Sequence, residues 1–291
     1  MQTGTFSGFE IELREPGIAW ITFDRPDAMN AMTPPMKRDL VESLLQAQMD
    51  DAVRVVVFTG TGRSFIAGDD LKAYRKPNNA SRMPPIPAGH DTPIGTYEGL
   101  RSLSQPVNLA IRNLDKLSIA AINGFAIQTG FSLALCCDFR IAAAGAKLGS
   151  ATLRFGLMPD EGGQALLVQH MGIAKTLDFL MRKRIVPAEE ALELGLVHEV
   201  AAPEQLEERS LALARELAEG PQVAMRLLKR SIYNAAELSF PQALDEIAAK
   251  TAIVDHHPDA REGASAFLEK RKPRFNRWLE KDRASQSDPE R

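Results

Sequence analysis

Two glycine-containing segments carry residue patterns that can bind an oxyanion. The first comprises residues 67–71 (Ala-Gly-Asp-Asp-Leu), and the second comprises residues 123–130 (Asn-Gly-Phe-Ala-Ile-Gln-Thr-Gly). Each follows a short apolar run typical of a strand, and turns at strand ends in α/β sheets are where ligands tend to bind. Two backbone N–H donors aimed at one point form an oxyanion hole, and losing one donor costs on the order of a hundred- to a thousandfold in rate. The two segments therefore predict stabilisation of an enolate-like intermediate, although glycine turns by themselves are more often structural.

The elements around these segments alternate between strands and helices. Apolar and β-branched runs predict strands at residues 11–13, 18–23, 53–58, 118–122 and 139–143. Thr33 followed by Pro34 predicts the start of a helix that runs to about Met49, with Leu40, Leu44 and Leu45 on one side. Further helices are expected at residues 97–114 and 130–137. This alternation predicts the α/β class.

Other parts of the chain carry weaker patterns. Five prolines in residues 75–96 predict a loop without regular structure, either a lid beside a site or a linker. From Glu161 onward the pattern is almost wholly helical and closes with a helix at residues 260–270. The chain is expected to divide into a core (residues 1–200), a C-terminal helical region (201–275) and a flexible tail (276–291).

Composition excludes several classes of function. The formal net charge of −3 argues against nucleic acid as the main partner, and the basic run at residues 270–274 is interpreted as a solvated helix end more readily than a phosphate contact. Cys136 and Cys137 are adjacent and apolar in context, which predicts reduced core residues. No apolar run approaches the roughly 18 residues of a membrane span, and no signal pattern precedes residue 10, so a cytoplasmic protein is expected.

Several motifs in fixed order resemble the crotonase (enoyl-CoA hydratase/isomerase) superfamily. They are Arg25-Pro26 with Asn30-Ala31, Thr59-Gly60 with residues 65–71, residues 120–130, and residues 155–159 (Phe-Gly-Leu-Met-Pro). The resemblance continues through residues 188–200 and 261–271. It implies a ββα superhelix with a C-terminal helical trimerisation region, an acyl-CoA substrate, a homotrimer or dimer of trimers, and no cofactor, because coenzyme A is part of the substrate. No metal and no membrane partner are implied.

The resemblance assigns roles by position. The two oxyanion N–H groups fall on Asp69 and Thr129. Residues flanking coenzyme A or the substrate are Ala28, Met29, Ala31, Ala67, Gly68, Asp69, Asp70, Leu71, Lys72, Gly130, Phe267 and Lys270, of which Phe267 and Lys270 would come from a neighbouring subunit.

Departures from the family pattern bear on the reaction. The two glutamates of family hydratases fall on Ser132 and Thr152, whose hydroxyls are no general bases near neutral pH without an activating partner. The usual glycine run is altered at Gln128 and Thr129. The carboxylate of Asp69 must also point away from a developing negative charge.

Asp160 is the acid that remains well placed. Residues 159–163 (Pro-Asp-Glu-Gly-Gly) resemble a pattern of family isomerases, in which an aspartate moves a proton between carbons on one face of an enolate. The leading hypothesis is thus an isomerase with Asp160 as proton shuttle and Glu161, Ser132 and Thr152 as candidate helpers. Alternatives are a hydratase or lyase on an unusual substrate, a non-catalytic acyl-CoA binding protein, and a capping or dipole role for Asp160 and Glu161 at a helix start. Neither His256-His257 nor Gly60-Thr61-Gly62 fits a metal or phosphate-loop pattern.

Overall fold

Two β-sheets form the centre of the fold in a computed structural model, which describes residues 1–70 and 92–279. The strands are β1 (Gly4–Thr5), β2 (Phe9–Arg14), β3 (Ile18–Phe23), β4 (Val55–Gly60), β5 (Ser64–Ile66), β6 (Leu117–Ile122), β7 (Phe125–Ile127), β8 (Phe139–Ala143), β9 (Lys147–Gly149), β10 (Ile185–Pro187) and β11 (Glu199–Ala201). The larger sheet has the order β1-β2-β3-β4-β6-β8-β11 and is parallel from β3 to β11. The smaller sheet has the order β10-β9-β7-β5, with β5, β7 and β9 parallel. The predicted α/β class is confirmed.

Helices cover the sheets and extend beyond them. They are α1 (Pro34–Met49), α2 (Pro93–Gly99), α3 (Gln105–Asn113), α4 (Thr129–Cys136), α5 (Gly163–Met181, interrupted at Gly172), α6 (Ala188–Glu193), α7 (Leu206–Glu219), α8 (Gln222–Ala235), α9 (Phe240–Asp255) and α10 (Pro258–Leu268). A π-helical segment, Leu100–Ser104, joins α2 to α3. The helical C-terminal region is therefore present.

The N-terminus of α1 matches its prediction. Thr33 Oγ1 accepts a hydrogen bond from the backbone N–H of Met36, and Pro34 occupies the first helical position. Leu40 and Leu44 are buried as expected, but Leu45 is 55% exposed. Its placement on the buried side was wrong because each residue turns the helix by about 100°, which carries Leu45 off the face of Leu44.

The proline-rich segment is regular where the structure describes it. The prediction of irregular structure up to residue 96 was wrong, because α2 begins at Pro93 with the side chain of Thr92 accepting from the N–H of Gly95. A proline at the first helical position starts a helix readily, since its missing N–H has no partner there in any case. Residues 75–91 of the predicted loop lie outside the described residues.

Short strands were missed in the sequence. β5, β7 and β9 each have three residues, and β10 and β11 interrupt the region after Glu161 that was expected to be almost wholly helical. Three residues are too few to establish an alternating pattern, so pairing with neighbours in the sheet decides their conformation. β10 pairs antiparallel with β9, and β11 extends the larger sheet beside β8.

The core has two layers, one on each side of the larger sheet. Val56 and Phe58 of β4 pack into the cluster that also holds α1 and α4, whereas Val55 and Val57 face the cluster closed by α7. This two-sided burial explains the nearly continuous apolar run predicted for that strand. Cys136 and Cys137 are buried and form no disulfide. No helix in the described ranges is both long and apolar enough to cross a bilayer.

Candidate functional site

The two glycine-containing segments meet at one edge of the smaller sheet. β5 and β7 are parallel neighbours, with Ser64 opposite Phe125, so their carboxyl ends point the same way. The first segment follows β5 directly, and the second ends where α4 begins at Thr129. Gly130 makes this approach possible, because a Cβ there would lie 2.2 Å from the carbonyl oxygen of Ile66. The predicted convergence of the two segments is therefore a feature of the fold.

Within the described residues, the backbone around Asp69 has one N–H without a backbone acceptor. Met32 donates to the carbonyl oxygen of Gly68, and Asp70 donates to the carbonyl oxygen of Met32, both at 2.9 Å. Between these two bonds, the N–H of Asp69 donates to no backbone acceptor in the described ranges. Thr129 is the first residue of α4, where an N–H has no intrahelical partner and the helix dipole is positive. Both residues thus present an N–H donor.

Gln128 holds an uncommon backbone conformation just before Thr129. Its φ of 52° and ψ of −107° lie in a region that favours glycine. Its N–H donates to the carbonyl oxygen of Gly149 at 3.0 Å, and its Oε1 accepts from Ser150 Oγ at 2.7 Å. These bonds hold a strained residue beside the Thr129 donor, as is common at functional sites.

Arg25 and Asn30 hold the first segment against the turn after β3. The buried Asn30 amide donates to the carbonyl oxygen of Ser64 at 2.7 Å, and Arg25 Nη2 lies 2.8 Å from Asp70 Oδ2. Ala67 also donates to the carbonyl oxygen of Met29. The structure therefore brings the predicted residues Ala28, Met29 and Ala31 together with Ala67, Gly68, Asp69 and Asp70, whereas Leu71 and Lys72 lie outside the described residues.

A buried lysine on α1 also reaches this site. Lys37 Nζ lies 2.8 Å from Asp69 Oδ2, donates to Ser104 Oγ at 3.1 Å and lies 3.6 Å from Glu161 Oε1. Sequence reasoning missed Lys37, since a lysine in an amphipathic helix usually faces solvent. Its spacing could have predicted its burial, because Lys37 lies on the same helix face as Leu40 and Leu44, at i, i+3 and i+7.

The Thr129 hydroxyl joins two carboxyl groups. Thr129 Oγ1 lies 2.9 Å from Asp69 Oδ1 and 2.8 Å from Glu161 Oε1. Burial raises the pKa of Glu161 to about 7, opposed by the positive charge of Lys37 and reinforced by the negative charges of Asp69 and Asp160. The other carboxyl oxygen of Glu161, Oε2, is buried and has no hydrogen-bond partner in the described part of the chain. Glu161 is therefore suited to hold a proton near neutral pH.

Asp160 is exposed, and its backbone is fixed from α3. Gln105 Nε2 donates to the carbonyl oxygen of Asp160 at 3.0 Å, and Asn108 Nδ2 donates to that of Glu161 at 2.7 Å. Partial desolvation and the charge of Asp69 raise the pKa of Asp160, with Lys37 opposing. The capping part of the helix-start alternative was wrong, since the N-cap of α5 is Gly162 and no side chain caps that helix, whereas the dipole part stays a prediction.

Ser132 and Thr152 occupy supporting positions. Ser132 packs against Gly163, where an added Cβ would lie 2.8 Å from Ser132 Oγ. Thr152 Oγ1 lies 3.0 Å from Ser150 Oγ, which in turn donates to Gln128. Within the described residues, neither hydroxyl is hydrogen-bonded to a carboxylate or histidine that would activate it. The contacts of Ser132 and Thr152 in the described part of the chain therefore give neither hydroxyl the activation that a general base needs.

The remaining predicted residues lie at the C-terminal end. Phe267 is 82% exposed in the last turn of α10, and Lys270 follows that helix, also exposed. In the described ranges, no group of three or more histidine, cysteine, aspartate or glutamate side chains is arranged to hold a metal ion.

Comparison with known proteins decides the family. The family model described as enoyl-CoA hydratase/isomerase matches residues 14–278. The chain belongs to this family, the crotonase superfamily. Members of this family are enzymes that act on acyl-CoA substrates.

The similarity to curated relatives and to solved structures covers nearly the whole chain. It is 35% identical to the 1,2-epoxyphenylacetyl-CoA isomerase of Escherichia coli, covering 90% of this chain and 95% of that protein. It is 32% identical to the crotonyl-CoA hydratase of Syntrophomonas wolfei, again over 90% of this chain and 95% of that protein. The crystal structure of an enoyl-CoA hydratase from Bacillus anthracis matches with a TM-score of 0.83 at 29% identity, covering 92% of this chain and 99% of that one. These relatives are named for both activities.

Proposed function

We propose that this protein is an enoyl-CoA isomerase that moves a β,γ double bond into conjugation with a thioester. The thioester oxygen accepts hydrogen bonds from the N–H groups of Asp69 and Thr129, which stabilise the enolate as it forms. Asp160 removes a proton from the carbon next to the carbonyl and returns it two carbons further along, so the substrate and product have the same composition. Coenzyme A enters and leaves as part of the substrate.

The exposed carboxylate of Asp160 is the observation that carries this proposal. Asp160 is exposed, whereas Asp69 and Asp70 are only partly exposed and Glu161 is buried. A raised pKa brings Asp160 closer to the working pH, which makes it a better base. One carboxylate suffices to take and return a proton on one face of an enolate, and the hydroxyls of Ser132 and Thr152 replace the second base that hydration requires.

Asp160→Asn tests the proposal directly. Purified protein is mixed with β,γ-enoyl-CoA substrates that carry aliphatic, branched, cyclic or aromatic acyl groups, and the conjugated thioester is followed by absorbance. We expect loss of one proton-transfer group to lower kcat by about a hundredfold or more. Asp178→Asn removes a surface carboxylate of α5 and is expected to behave as the unaltered protein. Unchanged turnover by Asp160→Asn would overturn the assignment.

A hydratase or lyase is the second candidate. It is favoured by the adjacent carboxyl groups of Asp160 and Glu161, which can hold a water molecule between them, and by relatives named hydratase. An α,β-enoyl-CoA distinguishes the two activities, because hydration removes the conjugated absorbance and adds one water to the product mass. Tight acyl-CoA binding in calorimetry with every turnover assay blank would instead identify a non-catalytic binding protein.

We infer that this protein assembles into a homotrimer or a dimer of trimers. Exposed apolar side chains on the C-terminal helices support this assembly. These side chains belong to Leu228, Ile232, Phe240, Leu244, Ile253, Phe267 and Leu268. In such an assembly Phe267 and Lys270 approach the nucleotide end of coenzyme A bound to a neighbouring subunit, while Ala28, Met29 and Ala31 line it from within. Sedimentation analysis with and without acyl-CoA measures the assembly.

A further inference from the structure

A largely buried chain of side chains, Lys37–Asp69–Thr129–Glu161, runs through the two proposed donor residues. We propose that Lys37 is a positioning residue for the oxyanion hole: it pairs with the Asp69 carboxylate so that this charge stays off the bound oxygen, while the proton of the chain lies on Glu161. This inference rests on the proposed function, and Lys37 acts through Asp69.

Both carboxylate oxygens of Asp69 are hydrogen-bonded by side chains of the protein. Oδ2 accepts from Lys37 Nζ at 2.8 Å, and Oδ1 accepts from Thr129 Oγ1 at 2.9 Å. A carboxylate next to an oxyanion donor would otherwise repel the developing enolate. Lys37 supplies a compensating positive charge inside the protein, where it is screened much less than in water.

Counting protons places one on Glu161. The Thr129 hydroxyl has a single proton but lies within hydrogen-bond distance of both Asp69 and Glu161. If it donates to Asp69, the second contact requires a protonated Glu161 carboxyl that donates to Thr129 Oγ1. Lys37 Nζ lies 2.8 Å from Asp69 Oδ2 but 3.6 Å from Glu161 Oε1, so the lysine pairs with the Asp69 carboxylate more closely than with Glu161. The raised pKa of Glu161 agrees with this distribution.

Packing alone does not require Lys37. The residue occupies a buried position in the stripe that contains Leu40 and Leu44, where an apolar side chain would fit the helix pattern. Replacing a buried ion pair by apolar residues is often neutral or stabilising, so such a pair is weak evidence of a role in stability. The proposal explains why a charged residue at this buried position contacts the side chain of a proposed donor.

The groups that set the charge around Lys37 come from every element packed there. They are Asp69 after β5, Ser104 of the π-helical segment, Thr129 of α4, and Asp160 and Glu161 before α5. Lys37 lowers the pKa of both Asp160 and Glu161. Removing its charge must therefore raise both pKa values, and the acid limb of the rate profile, which reports ionisation of Asp160, must move to higher pH.

The test uses the full chain and two substitutions of Lys37. Lys37→Met removes the charge and keeps an unbranched side chain. Lys37→Gln keeps a hydrogen-bond donor and carries the test if the first variant does not fold. We expect kcat to fall about ten- to a hundredfold, with little change in KM, and the acid limb to rise by about one pH unit. The double variant Lys37→Met/Asp69→Asn removes both charges and is expected to return the acid limb toward its original position.

Lys229→Met is the matched control. Lys229 is also a buried lysine, and its Nζ lies 2.7 Å from Asp138 Oδ2, away from the proposed donors. This variant is expected to unfold more easily but to keep the pH profile of the unaltered protein. The proposal is overturned if Lys37→Gln keeps the original kcat and pH profile, or if it loses activity with an unmoved acid limb.

Carboxyl NMR separates failure of this inference from failure of the proposed function. With ¹³C-labelled glutamate, the Glu161 resonance is identified by its absence in Glu161→Gln and titrated without any substrate. We expect its midpoint to move to higher pH in Lys37→Gln and to stay in place in Lys229→Met. An unmoved midpoint overturns the inference even if isomerase activity is found, and a moved midpoint supports it even if the substrate proves different.

Discussion

The Thr129 hydroxyl lies 2.9 Å from the carboxylate of Asp69, so the side chains of the two proposed oxyanion donors are joined to each other. The same hydroxyl contacts Glu161 at 2.8 Å. One hydroxyl therefore links the end of β5, the start of α4 and the loop before α5. This link fixes the spacing of the two N–H groups through side chains as well as through the sheet.

Thr129→Val is expected to weaken the site while keeping its backbone donor. The valine keeps the shape but leaves carboxyl oxygens of Asp69 and Glu161 without the hydroxyl, which costs about 1–3 kcal/mol of unfolding free energy. We expect kcat to fall about tenfold as the two segments lose their link. Urea unfolding and steady-state kinetics measure both effects.

Two variants test the specificity of that result. Thr129→Ser keeps the hydroxyl and is expected to retain most of the activity. Thr176→Val removes another buried hydroxyl, one that donates to the carbonyl oxygen of Gly172 within α5, and is expected to affect stability alone. Equal kcat values for Thr129→Val and the unaltered protein would contradict the linking role.

Local sequence rules predicted the elements whose stability is local. The helix start at Thr33 and Pro34 follows from a capping hydroxyl and a proline at the first position. The buried strand β4 follows from a continuous apolar run between two covered layers. These features depend on neighbouring residues in the chain, so the sequence displays them directly.

The side-chain network of the site could not be predicted in the same way. Lys37 and Asp69 are 32 residues apart, and Asp69 and Thr129 are 60 apart. Their contacts exist only because β5 and β7 pair and α1 packs behind them. The family resemblance predicted the donors and Asp160, and these assignments stay predictions, but it gave no reason to expect the buried Lys37 or the contact between Thr129 and Glu161.

Glu161 is expected to make stability fall as pH rises. Its pKa is about 7 in the folded protein and 4.5 when unfolded, so between these values the folded state binds more protons than the unfolded state. The stabilising contribution is therefore complete below about pH 4.5 and is lost as pH rises through 7. Because Glu161 is buried, the loss is on the order of 3 kcal/mol.

Urea unfolding at a series of pH values and one protein concentration measures this contribution. Glu161→Gln cannot titrate, so the difference in unfolding free energy between this variant and the unaltered protein isolates the carboxyl group. We expect that difference to change between pH 4.5 and 7 and to level off above 8. A difference that stays constant with pH would contradict a protonated Glu161 in the fold.

Two glycines are expected to respond oppositely to the same substitution. Gly130→Ala places a Cβ 2.2 Å from the carbonyl oxygen of Ile66, so the helix must move away from β5 at a cost of about 1–3 kcal/mol or more. Gly263→Ala in α10 places a Cβ 3.5 Å from the ring of Phe275, an ordinary contact, and is expected to add about 0.4–1 kcal/mol. Thermal unfolding of both variants decides the matter, and stabilisation by Gly130→Ala would refute the close approach of α4 to β5.

Gln128 tests whether the backbone beside Thr129 stores strain. Its φ of 52° and ψ of −107° favour glycine, whereas any other side chain there costs about 1–3 kcal/mol. Both Gln128→Gly and Gln128→Ala lose the hydrogen bond from Ser150, but only the glycine variant relieves the backbone. We therefore expect Gln128→Gly to be more stable than Gln128→Ala by about 1 kcal/mol or more in urea unfolding.

Ala212→Gly is the control, because Ala212 lies at an exposed position inside α7. Glycine is expected to be the less stable residue there by about 1 kcal/mol. If Gln128→Ala were as stable as Gln128→Gly, the conformation before Thr129 would carry no strain, and the donor would be held by the sheet and the side-chain link alone.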